Sequence, residues 1–199
     1  MVGALRAGDV DHYTLFSRFL DLMTPRFPLA VLAALLALLL IPALHAQTTQ
    51  VTAWGSNSNG QTDVPDGLTG VTDVAAGGGH TVALKDDGTV VAWGRNYNGL
   101  TDVPDGLTGV TAIAAGVLHT VALKDDGTVV AWGDNFFGQT SVPDGLANVT
   151  AVAGGRAHTV AVKNDGTVVA WGDIFYGVPD GLANVTAVAA GRAHAVALE

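Results

Sequence analysis

Trp-Gly recurs at Trp54, Trp93, Trp132 and Trp171, each 39 residues after the last, and the text around it nearly copies itself. VTDVAAGGGHTVALKDDGTVVAWGRN begins at Val71, VTAIAAGVLHTVALKDDGTVVAWGDN at Val110 and VTAVAGGRAHTVAVKNDGTVVAWGDI at Val149. A fixed period in this range marks a solenoid, a propeller or an array, because one unit cannot bury its apolar face alone. It also constrains function. Such a chain presents the same loop several times, and specificity lies in whatever differs between the copies.

Each unit reads as a run of short strands. Val71–Ala76 is rich in β-formers and ends at three glycines. HTVALK at His80–Lys85 is a second strand, followed by the hairpin signal Asp86-Asp87-Gly88. Asp-Gly supplies the positive φ values of a type I′ turn. TVVAW at Thr89–Trp93 is apolar on both faces, the pattern of a strand buried between stacked sheets. A loop over Arg95–Gly99 precedes a short fourth strand at Leu100–Val103, and Pro104-Asp105-Gly106 turns the chain into the next copy. The pattern predicts an all-β fold over residues 47–199, a β-propeller of four-stranded antiparallel blades, about four in number. The many β-branched residues and glycines exclude an α-solenoid. Three units are complete. VTAWG at 51–55 and VTAVAAGRAHAVALE at 185–199 together make a fourth. Val51–Trp54 is therefore expected to pair with His194–Leu198 and close a ring; the alternatives are an open arc, a truncated propeller or a homodimer that shares one ring.

The chain has no cysteine, so disulfides and thiolate metal sites are excluded. After residue 46 stand six Lys or Arg against fifteen Asp or Glu, a net charge of −9. That balance argues against a nucleic-acid partner, which needs a basic footprint. The apolar run Leu29–Ile41 follows Arg26 and precedes Pro42 and Ala43-Leu44-His45-Ala46. It falls short of the about 20 residues of a bilayer span. Its layout predicts a secretory signal segment over 1–46, cleaved after Ala46, with Met23 giving a leader of ordinary length. The alternative is an uncleaved anchor. The expected location is secreted or periplasmic.

The signature carried by Gly77, His80, Ala83, Leu84, Asp87, Gly88, Val90, Trp93, Gly94, Asn96 and Gly99 resembles the repeat of the regulator-of-chromosome-condensation family. It recurs at 116–138 and more loosely at 155–177. The short unit and the segments Gly60–Pro65 and Gly138–Pro143 are most similar to those of secreted bacterial members. The resemblance implies a β-propeller and transfers no function by itself. Members of this kind usually close seven blades. Four blades at that spacing would span only about 206°. The founding members are guanine-nucleotide exchange factors, an activity at odds with a leader segment and an acidic surface.

No nucleophile-and-base set, phosphate loop or dinucleotide fingerprint appears, and the expectation is a non-enzyme without cofactors. His80, His119, His158 and His194 hold one position per unit. A ring of histidines can bind a metal, but no carboxylate stands at ligand spacing beside each, so they read as structural residues satisfied by neighbouring backbone. The tryptophans read as packing residues, and Asp86-Asp87-Gly88 as a turn rather than a calcium loop. Asn148-Val149-Thr150 and Asn184-Val185-Thr186 match the glycosylation sequon and read as accidental.

The copies differ in two places. After Trp-Gly they read SNSNGQ, RNYNGL, DNFFGQ and DIFYG; before the histidine they read GGGH, GVLH, GRAH and GRAH. Alternating strand directions place both loops at one end of the blades and the uniform Asp-Gly and Pro-Asp-Gly turns at the other. The variable end holds Arg95, Tyr97, Val117, Leu118, Phe136, Phe137, Arg156, Ile174, Phe175, Tyr176 and Arg192. Tyr, Phe and Arg dominate binding hot spots. The expected function is a protein-binding module; the alternatives are a structural or adhesive surface scaffold, or nucleotide exchange by family analogy alone.

Overall fold

The computed structural model describes residues 50–174 and 177–199. The expected leader, with its apolar run, lies outside the described residues. Among the described residues no helix is long and apolar enough to cross a membrane.

Among the described residues eleven strands form four antiparallel sheets. The first contains β1 (Val71–Ala76), β2 (His80–Lys85) and β3 (Val90–Gly94). The second contains β4 (Val110–Ala115), β5 (His119–Lys124) and β6 (Val129–Gly133). The third contains β7 (Val149–Gly154), β8 (His158–Lys163) and β9 (Val168–Gly172). The last pairs β10 (Ala187–Ala190) with β11 (Ala195–Leu198). The middle strand pairs with the third in one repeated register, His80↔Gly94 to Leu84↔Val90 and His119↔Gly133 to Leu123↔Val129.

Alternation along the middle strand divides the core. Val82 and Leu84 pack with Val110, Ile113, Ala122 and Trp132 of the next sheet. Ala83, on the other face, packs with Val71 and Trp93. Each interface thus sets Val and Leu from one sheet against Ala and an indole from the following one. The same cluster recurs with Val121, Leu123, Val149, Ala161 and Trp171. Full burial of each such aliphatic side chain contributes about 1.5–3 kcal/mol.

Three expectations need correction. Three of the sheets have three strands and the last has two, where four were expected. Residues 100–103 spend their amides in local turns, Asp102 N on Gly99 O at 3.1 Å and Val103 N on Thr101 O at 3.0 Å, so none remain for a ladder. The hairpin turn is not type I′. Gly88 has φ 74, but neither Asp86 nor Asp87 enters the positive-φ region. Gly88 N donates to Lys85 O at 3.0 Å, and Asp87 Oδ1 accepts from Thr89 N at 3.0 Å. This is a three-residue turn with glycine at its left-handed position. Finally, Val51–Trp54 does not pair with the last sheet. Val51 packs instead against Val71, Ala83 and Trp93 of the first sheet. Each sheet packs on the next, and both outer faces stay open. Val74 is 53% exposed where its counterpart Ile113 is 8%, and Val196 is 60% exposed where Val82 is fully buried. The four sheets form an open arc.

The sequon asparagines have a backbone role. Asn148 and Asn184 stand where the earlier units carry Gly70 and Gly109, and all four have positive φ (58, 56, 70 and 69). Asn tolerates this left-handed conformation better than other non-glycine residues. Asn148→Gly is expected to leave the melting temperature unchanged or raised, and Asn148→Ala to cost about 1 kcal/mol. Thermal unfolding followed by circular dichroism measures both. A Gly variant less stable than the Ala variant would contradict the assignment.

Candidate functional site

The two variable loops of each unit lie side by side because a backbone hydrogen bond ties them. Arg95 N donates to Gly79 O at 2.8 Å, Asp134 N to Leu118 O at 2.9 Å and Asp173 N to Ala157 O at 2.8 Å. The loop before the histidine also reaches the next unit: Gly78 N donates to Gly116 O and Val117 N to Gly155 O. The residue before Gly78 must stay glycine, since a Cβ on Gly77 would meet Gly116 O at 2.7 Å, whereas Val117, Arg156 and Arg192 take the place of Gly78 in later units.

The loop after Trp-Gly is pinned by its asparagine. Asn96 Oδ1 accepts from Thr101 N at 3.1 Å while its Nδ2 donates to Asp102 Oδ1 at 2.7 Å. Asn57 makes the equivalent pair of bonds with Thr62 and Asp63, and Asn135 with Thr140 and Ser141. Asp134 joins neighbouring loops: it accepts from Asn98 of the preceding unit, from Phe136 N and from Gln139 Nε2. Pinning of this kind holds hydrophobic side chains out in water. Phe136 is 85% exposed and packs edge-on against Phe137 at 4.9 Å. Tyr97 is half exposed, with the Arg95 guanidinium 5.0 Å from its ring centre. Val117, Ile174, Arg156 and Arg192 are also exposed, whereas Leu118 is half-buried. Phe175 and Tyr176 lie outside the described residues.

The opposite end carries paired charge. Lys85, Lys124 and Lys163 each bridge to an aspartate two residues on, at 2.9–3.2 Å. The lysines are therefore all on the uniform turns, and the three arginines of the described residues are all on the variable loops.

Behind the variable face runs a buried chain of hydrogen bonds. His80 Nε2 meets Thr120 Oγ1 at 3.0 Å, and Thr120 donates to the Leu100 carbonyl at 3.1 Å. Trp132 Nε1 donates to that same carbonyl at 3.2 Å. His119, Thr159 and the Gln139 carbonyl repeat the arrangement one unit later. Thr120 spends its one proton on the carbonyl, so His80 must donate from Nε2, which leaves Nδ1 bare and without a partner. The histidines are structural, as expected, but a threonine of the next sheet satisfies them rather than neighbouring backbone. Burial pushes His80 and His119 down to about 4. Among the described residues no group of three or more histidines and carboxylates is placed to hold a metal ion.

Repeated antiparallel sheets, stacked face on face with paired loops at one end, define a propeller-type repeat protein. The regulator of chromosome condensation (RCC1) repeat matches residues 71–100, 110–139 and 149–177. The chain belongs to that repeat family. No curated protein matches it. Among solved structures it is similar to Prp20p from Saccharomyces cerevisiae, at 20% identity and TM-score 0.62, covering 72% of this chain and 50% of that one. It is also similar to the ectodomain of the receptor kinase CR4 from Physcomitrella patens, at 26% identity and TM-score 0.60, covering 74% and 42%. Human WBSCR16 gives 21% identity and TM-score 0.57, covering 72% and 53%. The chain spans about half the length of the solved structures it matches.

The buried histidines give a pH dependence. The folded state favours neutral imidazole, whereas an unfolded histidine titrates near 6.5. Their contribution is complete above about pH 6.5 and is lost as pH falls toward 4, on the order of several kcal/mol for the pair. Asp126 and Asp165, held near 2 by bonds to Thr128 and Thr167, titrate below that window. Urea unfolding is expected to give a lower midpoint at pH 5 than at pH 7.5. Equal midpoints would show that these rings are not buried neutral.

Proposed function

We propose that this chain is a non-catalytic protein-binding module that works outside the cytoplasm and engages its partner through the paired variable loops. The observation that carries the reading is the exposure of Tyr97, Phe136 and Phe137 on loops braced by asparagine and backbone hydrogen bonds. Aromatic groups held out by a pinned loop lose little freedom on binding, which favours affinity. Arg95 stands beside Tyr97, and Arg156 and Arg192 lie exposed on the corresponding loops of later units, adding the other side chain enriched at binding hot spots. Mutual variation of these loops over a constant sheet frame is how repeat proteins adjust a binding surface.

Two comparisons support the reading. Prp20p, similar in fold, is described with binding to Gsp1p and histones. The similar CR4 domain is a receptor ectodomain, a setting compatible with the leader-like segment of this chain. Lack of a nucleophile-and-base set in the sequence favours binding over catalysis.

Phe136→Ser with Phe137→Ser removes two exposed rings and leaves the Asn135 bonds in place. Crosslinking on the surface of the producing cell, followed by mass spectrometry, is expected to recover a protein with the wild type. Recovery should fall about tenfold or more with the double variant, the loss typical of hot-spot side chains. Unfolding midpoints should match. Equal recovery of the same proteins by both would sink the assignment of this face.

A further inference from the structure

Two of the variable loops carry a reaction in their own sequence. Asn59-Gly60 and Asn98-Gly99 are the two Asn-Gly pairs of the chain, at the same place in consecutive repeats; the next repeat has Phe137-Gly138 there. An asparagine side chain can be attacked by the amide nitrogen of the following residue, and glycine puts no side chain in the way. The new N–Cγ bond closes a succinimide, the Cγ–Nδ2 bond breaks, and ammonia leaves with the amide proton. Water then opens the ring. Opening at Cγ gives aspartate, and opening at the main-chain carbonyl gives isoaspartate. By either route a neutral amide becomes a carboxylate. Both asparagines are exposed, so water reaches them. One bond restrains each pair: Gly60 N donates to Asn57 O at 3.3 Å, and the Asn98 amide donates to Asp134. The ring closes as the loop opens.

The two sites face opposite charges. Asn98 Nδ2 donates to Asp134 Oδ2 of the following loop. Asp134 is not free to turn away, since its other oxygen accepts from Phe136 N at 3.1 Å and from Gln139 Nε2 at 2.7 Å. A carboxylate at 98 has no proton to give and meets a second carboxylate. Asn59 instead lies beside Arg95. A Cβ on Gly79 would stand 3.4 Å from Arg95 Cδ and 3.4 Å from Asn59 Nδ2, so the two side chains flank one point. Among the described residues no carboxylate lies within ion-pair distance of Arg95, whose guanidinium rests 5.0 Å from the Tyr97 ring centre. A carboxylate at 59 supplies the counter-ion.

We propose that Asn98-Gly99 and Asn59-Gly60 are self-deamidation sites that rewrite the variable face in opposite senses. Conversion at 98 breaks the tie between the loops of Tyr97 and Phe136 and pushes them apart. Conversion at 59 joins the loop after Trp54 to Arg95 and competes with Tyr97 for its guanidinium. Each event adds one negative charge to a chain whose net charge is already −9. The reaction consumes only water and does not depend on what the face binds.

The full-length chain is aged at mildly alkaline pH and digested at its lysines and arginines, and mass spectrometry of the fragments locates each amide converted to acid. Conversion is expected severalfold faster at 59 and 98 than at Asn57, Asn96, Asn135 and Asn164. Equal rates at all six, or none at 59 and 98, would overturn the sites. The consequences are read on charge variants by urea unfolding at low salt. Asn98→Asp should fall below Asn98→Ser by a few-fold in the folding equilibrium constant, and adding Asp134→Asn should restore it. Asn59→Asp should exceed Asn59→Ser, an advantage lost on adding Arg95→Gln. An Asn98→Asp chain as stable as Asn98→Ser, or one that Asp134→Asn does not rescue, would overturn the first consequence. An Asn59→Asp chain at or below Asn59→Ser would overturn the second.

Discussion

The stack of sheets depends on one buried carbonyl per junction. At the first it belongs to Leu100, which accepts from Thr120 Oγ1 and Trp132 Nε1, both from the following sheet. His80, from the preceding sheet, donates to the same threonine. Three elements of two units therefore converge on one oxygen in a dry site, where an unmet polar group would cost about 1–3 kcal/mol. Hydrophobic contact alone would permit sheets to slide or rotate over one another. Directional bonds to a single atom fix the relative placement of each sheet and its neighbour. The glycine before each histidine belongs to this constraint, since a Cβ on Gly77 or Gly116 would collide with the imidazole.

That fixed placement sets what the variable face can be. The loop before the histidine starts where the middle strand begins, and the loop after Trp-Gly starts where the third strand ends. The His80↔Gly94 register brings these two points together. Any residue substituted in either loop then appears at the same end of the same junction. The frame is constant among copies for a packing reason, and the loops vary because most of their side-chain bonds, those of Asn57, Asn96 and Asn135 included, are exposed; Gln139, buried and bonded to Phe137 N and Asp134, is an exception. Aromatic rings at 97, 136 and 137 stand outside the core that the tryptophans fill.

Much of this was legible in the sequence. Period, strand order and the sharing of loops at one end follow from Trp-Gly spacing and Asp-Gly turns, because those signals are side-chain chemistry repeated at fixed intervals. The absence of a fourth strand was not legible. Leu100–Val103 has strand-like composition, yet its carbonyls and amides are claimed by turns and by the next sheet's side chains. Nor was the acceptor of the histidine chain. It is a main-chain oxygen, so Gln61, Leu100 and Gln139 serve equally at that position and leave no side-chain mark. The threonine after each histidine was the available signal, at 81, 120 and 159, with Ala195 as its one exception.

That exception joins a wider loosening that begins at the second junction and continues into the third. Trp171 Nε1 is buried without a partner among the described residues, where Trp93 and Trp132 each reach a carbonyl. Ile174 replaces the pinning asparagine of the earlier loops, and the loop is three residues shorter. Histidine 158, without a threonine opposite, turns toward a cavity rather than a bond. Burial still lowers its proton affinity, partly offset by Asp173. Trp171 leaves the Gln139 carbonyl of the second junction one donor short, and the changes at 174 and 195 remove constraints between the third sheet and the last. The tightly bonded and the loosened junctions of this molecule are thus built from the same repeat, distinguished by a handful of changes.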